Sequence, residues 1–257
     1  NFHINGLTAP LFGTTQAVEI KNVHLTGVDI TSNLNPLGAL ACNVNNTAAV
    51  IQNCSADGKL EFTGSSISTK TQARVAGMIG DTTTKTTITG LVNSIDVTFN
   101  HNSAVYLAGC IGQTDSSIEN CKNLGTITYA SGCNATKTIW MAGVCADCTI
   151  AYSTATKCVN GSTDADGKPT ENGKLVFAGE NSSLLIVSGI ATMRDYSTVS
   201  GCTNYAPIEI GGIQTGSNLQ VAGVHSAPNS SHNNISTVGC SNYGTITVTT
   251  NRTSTGE

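Results

Sequence analysis

A two-residue step, Ala-Gly or Ser-Gly between apolar residues, recurs along the chain and constrains the fold more than any other feature. Its glycines are Gly77, Gly109, Gly143, Gly189 and Gly223, and a weaker copy in reversed order contains Gly38. From Gly38 onward the spacings are 39, 32, 34, 46 and 34 residues. Periods of about 20–50 residues are typical of solenoids, propellers and arrays, in which one repeat buries its apolar face only by stacking on its neighbours.

A second landmark lies 12 to 17 residues after each of these glycines. In one repeat this landmark is Leu91. In the other five repeats it is a cysteine: Cys54, Cys121, Cys158, Cys202 and Cys240. An asparagine such as Asn123 follows two residues later in most repeats, before an alternating segment such as Ile127-Thr128-Tyr129. Each repeat therefore contains three short segments with the two-residue period of strands, and no window favours a helix of useful length.

These patterns predict an all-β chain that folds as a parallel β-helix with three strands per coil and about seven coils. Because parallel crossovers are almost always right-handed, we expect the right-handed form. The repeat runs almost end to end, so residues 1–257 are predicted to form one domain. The predicted coils are at about 11–31, 37–62, 73–99, 105–129, 139–177, 185–210 and 219–248. Residues 162–173 are polar, with Gly and Pro, and are predicted to form a loop insertion.

Composition and charge exclude some classes of partner. Only 11% of the residues are charged and the net charge is −4, without a basic stripe, so nucleic acid is not an expected partner. No run of 18 or more apolar residues is present, so no membrane-spanning helix is expected. The sequence starts without Met or a signal peptide, which predicts a mature or trimmed chain with further protein beside it.

The repeat pattern also resembles a known family. Its apolar–Ala-Gly–apolar step, followed by Ile118-Glu-Asn-Cys121 and by Gly125 before an alternating strand, is similar to the GLUG-like β-helix repeats of secreted and surface proteins, abundant in gut Bacteroidales. The similarity covers nearly the whole chain, apart from a shortened Asn93–Ile95 turn and the insertion. It implies a parallel β-helix and a secreted or cell-surface location, with adhesion or glycan contact as function.

The ten cysteines invite a disulfide framework, but the repeat favours another interpretation. A slot that is Cys in five repeats and Leu91 in another is an apolar, inward slot, where a free thiol packs as a small hydrophobe. We therefore predict stacked, reduced thiols in the core, and Cys110 belongs to the core for the same reason. The state of Cys42 and Cys133 is left open. The Cys145-x-x-Cys148 pair is interpreted as core plus turn, with a local disulfide or metal site as alternatives.

The candidate ligand site is a column of side chains just before the Ala-Gly steps. In the third to seventh coils this slot contains Arg74, Tyr106, Trp140, Ile186 and Gln220. Because the flanking positions are inward, alternation predicts that the slot faces out, with neighbouring coils about 4.8 Å apart. Trp140 is the only Trp of the chain. Arg74, Tyr106 and Trp140 are thus predicted to form an exposed, ligand-binding column; plain packing of the rings is the alternative.

Acidic residues provide a weaker, enzymatic alternative. Asp81 and Asp147 lie four residues after a repeat glycine, and Asp115 and Asp195 lie six after one, which places all four in the turn after the first strand. Equivalent positions two coils apart are separated by about 9.6 Å, which is near the carboxylate separation of about 6.5–9.5 Å in inverting glycosidases. Only Arg194 is an obvious basic neighbour, and aspartate is common in turns for backbone reasons.

We therefore expect a non-enzymatic binding module, secreted or on the cell surface, acting as an adhesin or glycan-contact domain. The expected partner is a glycan or a host or cell-surface protein. No catalytic residue, metal or cofactor is predicted. The alternative is a β-helix polysaccharide lyase or glycoside hydrolase that uses the turn aspartates. An ice-binding solenoid is a third hypothesis, suggested by outward pairs such as Thr126 and Thr128, but Glu61 and Glu209 interrupt any flat threonine array.

Overall fold

The structure is a computed structural model that describes residues 1–17, 19–64, 72–82, 85–149, 151–194, 196–216, 218–227 and 234–249. Parallel sheets stack along the chain as a β-solenoid of about six turns, and these residues include no α-helix. The described part of the chain accordingly contains no helix long and apolar enough to cross a membrane. The predicted all-β parallel β-helix is confirmed.

The strands of the described residues form five sheets, and each coil passes in the same order through those sheets to which it contributes strands. The first sheet consists of Ala73–Ala76, Val105–Ala108, Ile139–Ala142, Leu185–Ser188 and Leu219–Ala222. The second consists of Phe12–Thr15, Ala41–Val44, Ile79–Thr82, Ile111–Thr114, Cys145–Cys148, Ala191–Met193 and His225–Ser226. The third consists of Glu19–Lys21, Val50–Gln52, Thr87–Thr89, Ile118–Glu119, Thr154–Thr156, Thr198–Ser200 and Ser236–Val238.

The fourth sheet is the largest, and the fifth is a small addition in the later coils. The fourth consists of Phe2–Asn5, Val23–Ser32, Ser55–Phe62, Val92–Phe99, Lys122–Asn123, Ile127–Tyr129, Val159–Asn160, Leu175–Phe177, Thr203–Asn204, Ile208–Ile210, Ser241–Asn242 and Ile246–Val248. The fifth consists of Asn134–Ala135, Glu180–Asn181 and Ile213–Gln214. Residues 161–174, which include the predicted insertion, connect Val159–Asn160 to Leu175–Phe177.

The Ala-Gly step is a bend between two strands, so a coil contains more strands than the three predicted. The strand Val105–Ala108 ends at Gly109, and the chain continues in the second sheet with Ile111–Thr114. A Cβ on Gly109 would lie 2.2 Å from Oδ1 of Asn123 and 2.3 Å from the carbonyl oxygen of Gly143. Glycine recurs at this position because only a residue without a side chain allows that close approach.

The interior is filled by side chains that stack on equivalent positions of the next coil. The rings of Phe62, Phe99, Tyr129 and Phe177 form one continuous stack, with centroids 4.9, 5.5 and 5.1 Å apart. All four are fully buried. Buried aromatic side chains contribute large apolar areas, so this stack contributes strongly to the cohesion between coils.

All ten cysteines have free thiols, and all except the half-buried Cys240 are buried. The predicted inward slot is confirmed, with Leu91 in the core beside the cysteines. Cys145 and Cys148 both lie in the core, their Sγ atoms 3.3 Å apart as a hydrogen-bonded pair of thiols. Burial raises the pKa of Cys42 and of Cys145, which keeps these thiols in the unreactive protonated form.

The asparagines after the cysteine slot form a ladder along the solenoid. The ladder consists, in order, of Asn93, Asn123, Asn160, Asn204 and Asn242. Nδ2 of each asparagine donates to Oδ1 of the next one, and the four successive distances are 2.8, 2.8, 2.9 and 2.7 Å. The predicted amide bridge between coils is thus confirmed. The left-handed backbone conformation belongs instead to the residue before the cysteine, as at Asn120, where φ is 53°.

Candidate functional site

The outward faces of the first and second sheets meet in a crease on one side of the solenoid. The crease is formed by Arg74, Tyr106, Trp140 and Ile186 from the first sheet, Asp81, Gln113 and Asp147 from the second, and Arg194 just after a second-sheet strand. The bend at each Ala-Gly step brings the two faces together. The predicted ligand-binding column and two of the four acidic residues therefore belong to one site.

The predicted register of the column is confirmed. Tyr106 pairs directly with Arg74 on one side and with Trp140 on the other. The centroids of the Tyr106 and Trp140 rings are 4.4 Å apart and the ring planes are tilted by 58°. Neighbouring coils thus place a guanidinium, a phenol and an indole side by side.

The predicted exposure of the two rings is wrong. Tyr106 is only 6% exposed and Trp140 only 8%. They do lie outside the main core, as alternation requires, but they form a second apolar cluster with Ile186 and Ala146. Ala146 comes from the second sheet, which turns its own outward face onto the rings. Ligand contact by Arg74, Tyr106 and Trp140 remains a prediction, with only a small part of each ring accessible.

Hydrogen bonds and ion pairs connect the charged side chains of the crease. Nε of Arg74 lies 3.3 Å from Oδ2 of Asp81 and also donates to Oε1 of Gln113. Gln113 Nε2 donates to Asp147 Oδ2 at 2.9 Å. Arg194 donates to both oxygens of Asp147, at 3.2 and 3.1 Å, and its guanidinium carbon lies 5.1 Å from the centroid of the Trp140 ring. This contact is a cation–π interaction.

Burial shifts the acid–base behaviour of the crease. Desolvation raises the pKa of Asp81 to about 6, although the charge of Arg74 acts in the opposite direction. Desolvation also raises the pKa of Asp147, against the hydrogen bonds from Arg194, Gln113 and Tyr106. The pKa of the Tyr106 phenol is raised for the same reason. Perturbed titratable groups of this kind concentrate at functional sites, although structural ion pairs produce them too.

The acidic residues do not lie together in a turn as predicted. Asp81 and Asp147 lie within the second-sheet strands Ile79–Thr82 and Cys145–Cys148, and Gln113 separates them in register. The carboxylate of Asp147 is fully buried and accepts from Arg194, Gln113 and Tyr106. Asp115 follows a strand and accepts from Oγ1 of Thr149. Asp195 lies outside the described residues.

Within the described part of the chain, one polar side-chain atom of the crease has no hydrogen-bond partner. The indole Nε1 of Trp140 is buried and makes no hydrogen bond to any described residue. A buried donor without an acceptor is uncommon in folded proteins and costs about 1–3 kcal/mol. Nothing in the described part of the chain groups three or more His, Cys, Asp or Glu side chains closely enough to hold a metal ion.

A pair of exposed tyrosines was missed in the sequence. Tyr152 and Tyr196 stack with ring centroids 5.1 Å apart and planes 12° from parallel. They are 73% and 50% exposed, in contrast to the buried rings of the crease. Their signal was present as a repeated Tyr-Ser-Thr, six residues before Cys158 and Cys202. Since the two copies occupy the same slot of adjacent coils, the repeat itself would have predicted their stacking.

Comparison with known proteins provides one partial similarity. Residues 1–58 match the family described as the M26 IgA1-specific metallo-endopeptidase N-terminal region. The match covers less than a quarter of the chain and lies before all the residues of the crease. Searches among curated proteins and among solved structures returned no match.

Proposed function

We propose that the chain is a non-enzymatic binding module of a secreted or cell-surface protein, and that it contacts glycans at the mouth of the crease. The observation that carries the proposal is the buried Trp140 N–H, which has no acceptor among the described residues, in a crease that also contains two partly exposed guanidinium groups. A hydroxyl or ring oxygen of a sugar would supply the missing acceptor once a partly exposed neighbour such as Arg194, which lies over the Trp140 ring, moves aside. Tyr, Trp and Arg are also the side chains most often dominant in binding interfaces.

The chemistry of the crease suits a neutral, hydroxylated ligand. Each guanidinium is already balanced by a carboxylate, Arg74 by Asp81 and Arg194 by Asp147. A net charge on the ligand would therefore add little to the affinity. The donor and acceptor groups of the crease are held rigidly in place, so they can form hydrogen bonds to ligand hydroxyls at a low cost in conformational entropy. The resemblance to GLUG-like surface repeats supports the same location and ligand class.

The test is a glycan array followed by calorimetric titration of the full chain. We expect binding of neutral glycans that shifts the emission of Trp140. The variant Trp140→Phe removes the N–H but retains most of the ring volume, so it should weaken binding while the protein stays folded. Arg74→Gln should do the same. Lys59→Gln, an exposed change on the fourth sheet, is the matched control and should leave binding unchanged.

Two results would contradict this proposal. One is the absence of any glycan binding by the wild-type chain. The other is binding that Trp140→Phe and Arg74→Gln leave intact. A reducing-sugar and unsaturated-uronate assay runs beside the titration, because turnover that disappears in Asp81→Asn favours the lyase or hydrolase alternative instead.

A further inference from the structure

The tyrosine pair belongs to a column on the turn between the second and third sheets. The slot six residues before the cysteine or leucine slot contains Lys85, Asp115, Tyr152 and Tyr196 in four successive coils. The residue after it is Thr or Ser in each coil. The column therefore changes along the solenoid from two charged side chains to two aromatic ones.

A hollow opens where the aromatic part of this column ends. It has a volume of about 480 Å³ and is lined by Lys85, Asp115 and Tyr152 together with hydroxyl side chains such as Ser117. We call it the tyrosine hollow. Tyr196 covers one face of the Tyr152 ring, and the other side of the ring borders the hollow. The volume lies within the about 300–1,000 Å³ that is usual for small-ligand sites.

The backbone of both tyrosines is strained. Tyr152 has φ of 67° and Tyr196 has φ of 55°, in the left-handed region that favours Gly and Asn. Other left-handed positions of the chain do use Asn, as at Asn22 and Asn53. A large exposed ring is thus present twice where a smaller residue fits the backbone better. Strained backbone of this kind clusters at functional sites, and here it holds a stacked pair of largely exposed rings.

We propose that the tyrosine hollow binds a neutral pyranose unit of a glycan. The apolar face of the sugar ring stacks on the open face of Tyr152, and its hydroxyls donate to the Asp115 carboxylate and accept from the Lys85 ammonium. Thr149 fixes the orientation of Asp115 by donating to it. The site is separate from the crease and shares with the proposed function only the class of ligand. One positive and one negative side chain line the hollow, so its net charge does not favour a uronate or a sulfated unit over a neutral sugar.

The test measures binding of neutral oligosaccharides, such as xylo-, manno- and gluco-oligosaccharides, to the full chain by calorimetric titration. Tyr152→Asn removes the ring and suits the left-handed backbone, so affinity should fall about tenfold or more while the melting temperature stays the same or rises. Asp115→Asn should also weaken binding. Tyr243→Ser is the matched control, because Tyr243 is an exposed ring stacked on Tyr205 at another turn.

The two variants Tyr152→Asn and Trp140→Phe separate this site from the crease. Binding lost in Tyr152→Asn and retained in Trp140→Phe supports the tyrosine hollow, even if the crease proposal then fails. Binding retained in Tyr152→Asn, or reduced equally by Tyr243→Ser, overturns the inference. The absence of binding to any neutral oligosaccharide overturns it as well. Preference for uronic-acid oligosaccharides would contradict the assigned ligand class.

Discussion

Replacing one amide of the asparagine ladder with a carboxylate tests how the coils are held together. Asn123 is fully buried, and its Nδ2 donates to the carbonyl oxygen of Gly125 at 3.0 Å and to Oδ1 of Asn160 at 2.8 Å. Its Oδ1 accepts from Asn93 at 2.8 Å. Asn123→Asp preserves the shape and the accepted bond, but it places an oxygen opposite two acceptors.

The structure determines the expected size of the loss. Two acceptors lose their donor in a site closed to water, and each costs about 1–3 kcal/mol, so the free energy of unfolding should fall by about 2–6 kcal/mol. Total stabilities are usually about 5–15 kcal/mol, so the loss is large. Burial disfavours the charged form of the new carboxyl. Protonation also restores one donor, so the deficit relative to wild type should shrink as the pH falls.

Urea denaturation followed by circular dichroism measures the change in the free energy of unfolding. Because a solenoid can open coil by coil, hydrogen exchange in residues 105–129 shows whether the loss of stability is local. The matched control is Asn242→Asp at the last rung. Asn242 donates to the carbonyl oxygen of Gly244 at 3.0 Å but is exposed, so water replaces the lost bond and the cost should stay below about 1 kcal/mol. Equal losses in Asn123→Asp and Asn242→Asp would refute the reasoning.

Two further changes test the core and the crease. Cys121→Ser should lower the free energy of unfolding by about 1–3 kcal/mol, because it buries a hydroxyl in an apolar slot. In the unchanged protein, a bulky thiol reagent should label few cysteines besides the half-buried Cys240 until denaturant is added. Rapid labelling of most thiols in the native protein would contradict the buried column. Burial raises the pKa of Asp81 to about 6, so the folded state binds the Asp81 proton more tightly than the unfolded state does. The free energy of unfolding should therefore decrease by at most about 3 kcal/mol as the pH rises from 4 to 7. Asp81→Asn should reduce that slope in thermal melts, because the raised pKa of Asp147 leaves a contribution of the same sign, whereas the exposed control Asp29→Asn should preserve it. An unchanged slope in Asp81→Asn would contradict the assignment to Asp81.

The sequence by itself determined the architecture. Every coil buries the same positions, so the sequence shows the burial pattern once in each repeat. A position that is Cys121 in one coil and Leu91 in another is therefore an inward one. The same logic predicted the amide ladder through Asn123. It also placed Tyr106 and Trp140 next to each other, since positions equidistant from the Ala-Gly step align in register.

Only the tertiary structure decided how open the site is. Alternation assigns a side chain to one side of its own strand, but it does not show what another strand places on that side. The bends at Gly109 and Gly143 turn the second sheet onto Tyr106 and Trp140 and bring Asp147 into the same crease, so outward side chains become buried. The tyrosine hollow likewise depends on where the stack of tyrosine rings ends, because the space beside Tyr152 is set by the side chains of the neighbouring coils and not by Tyr152 itself.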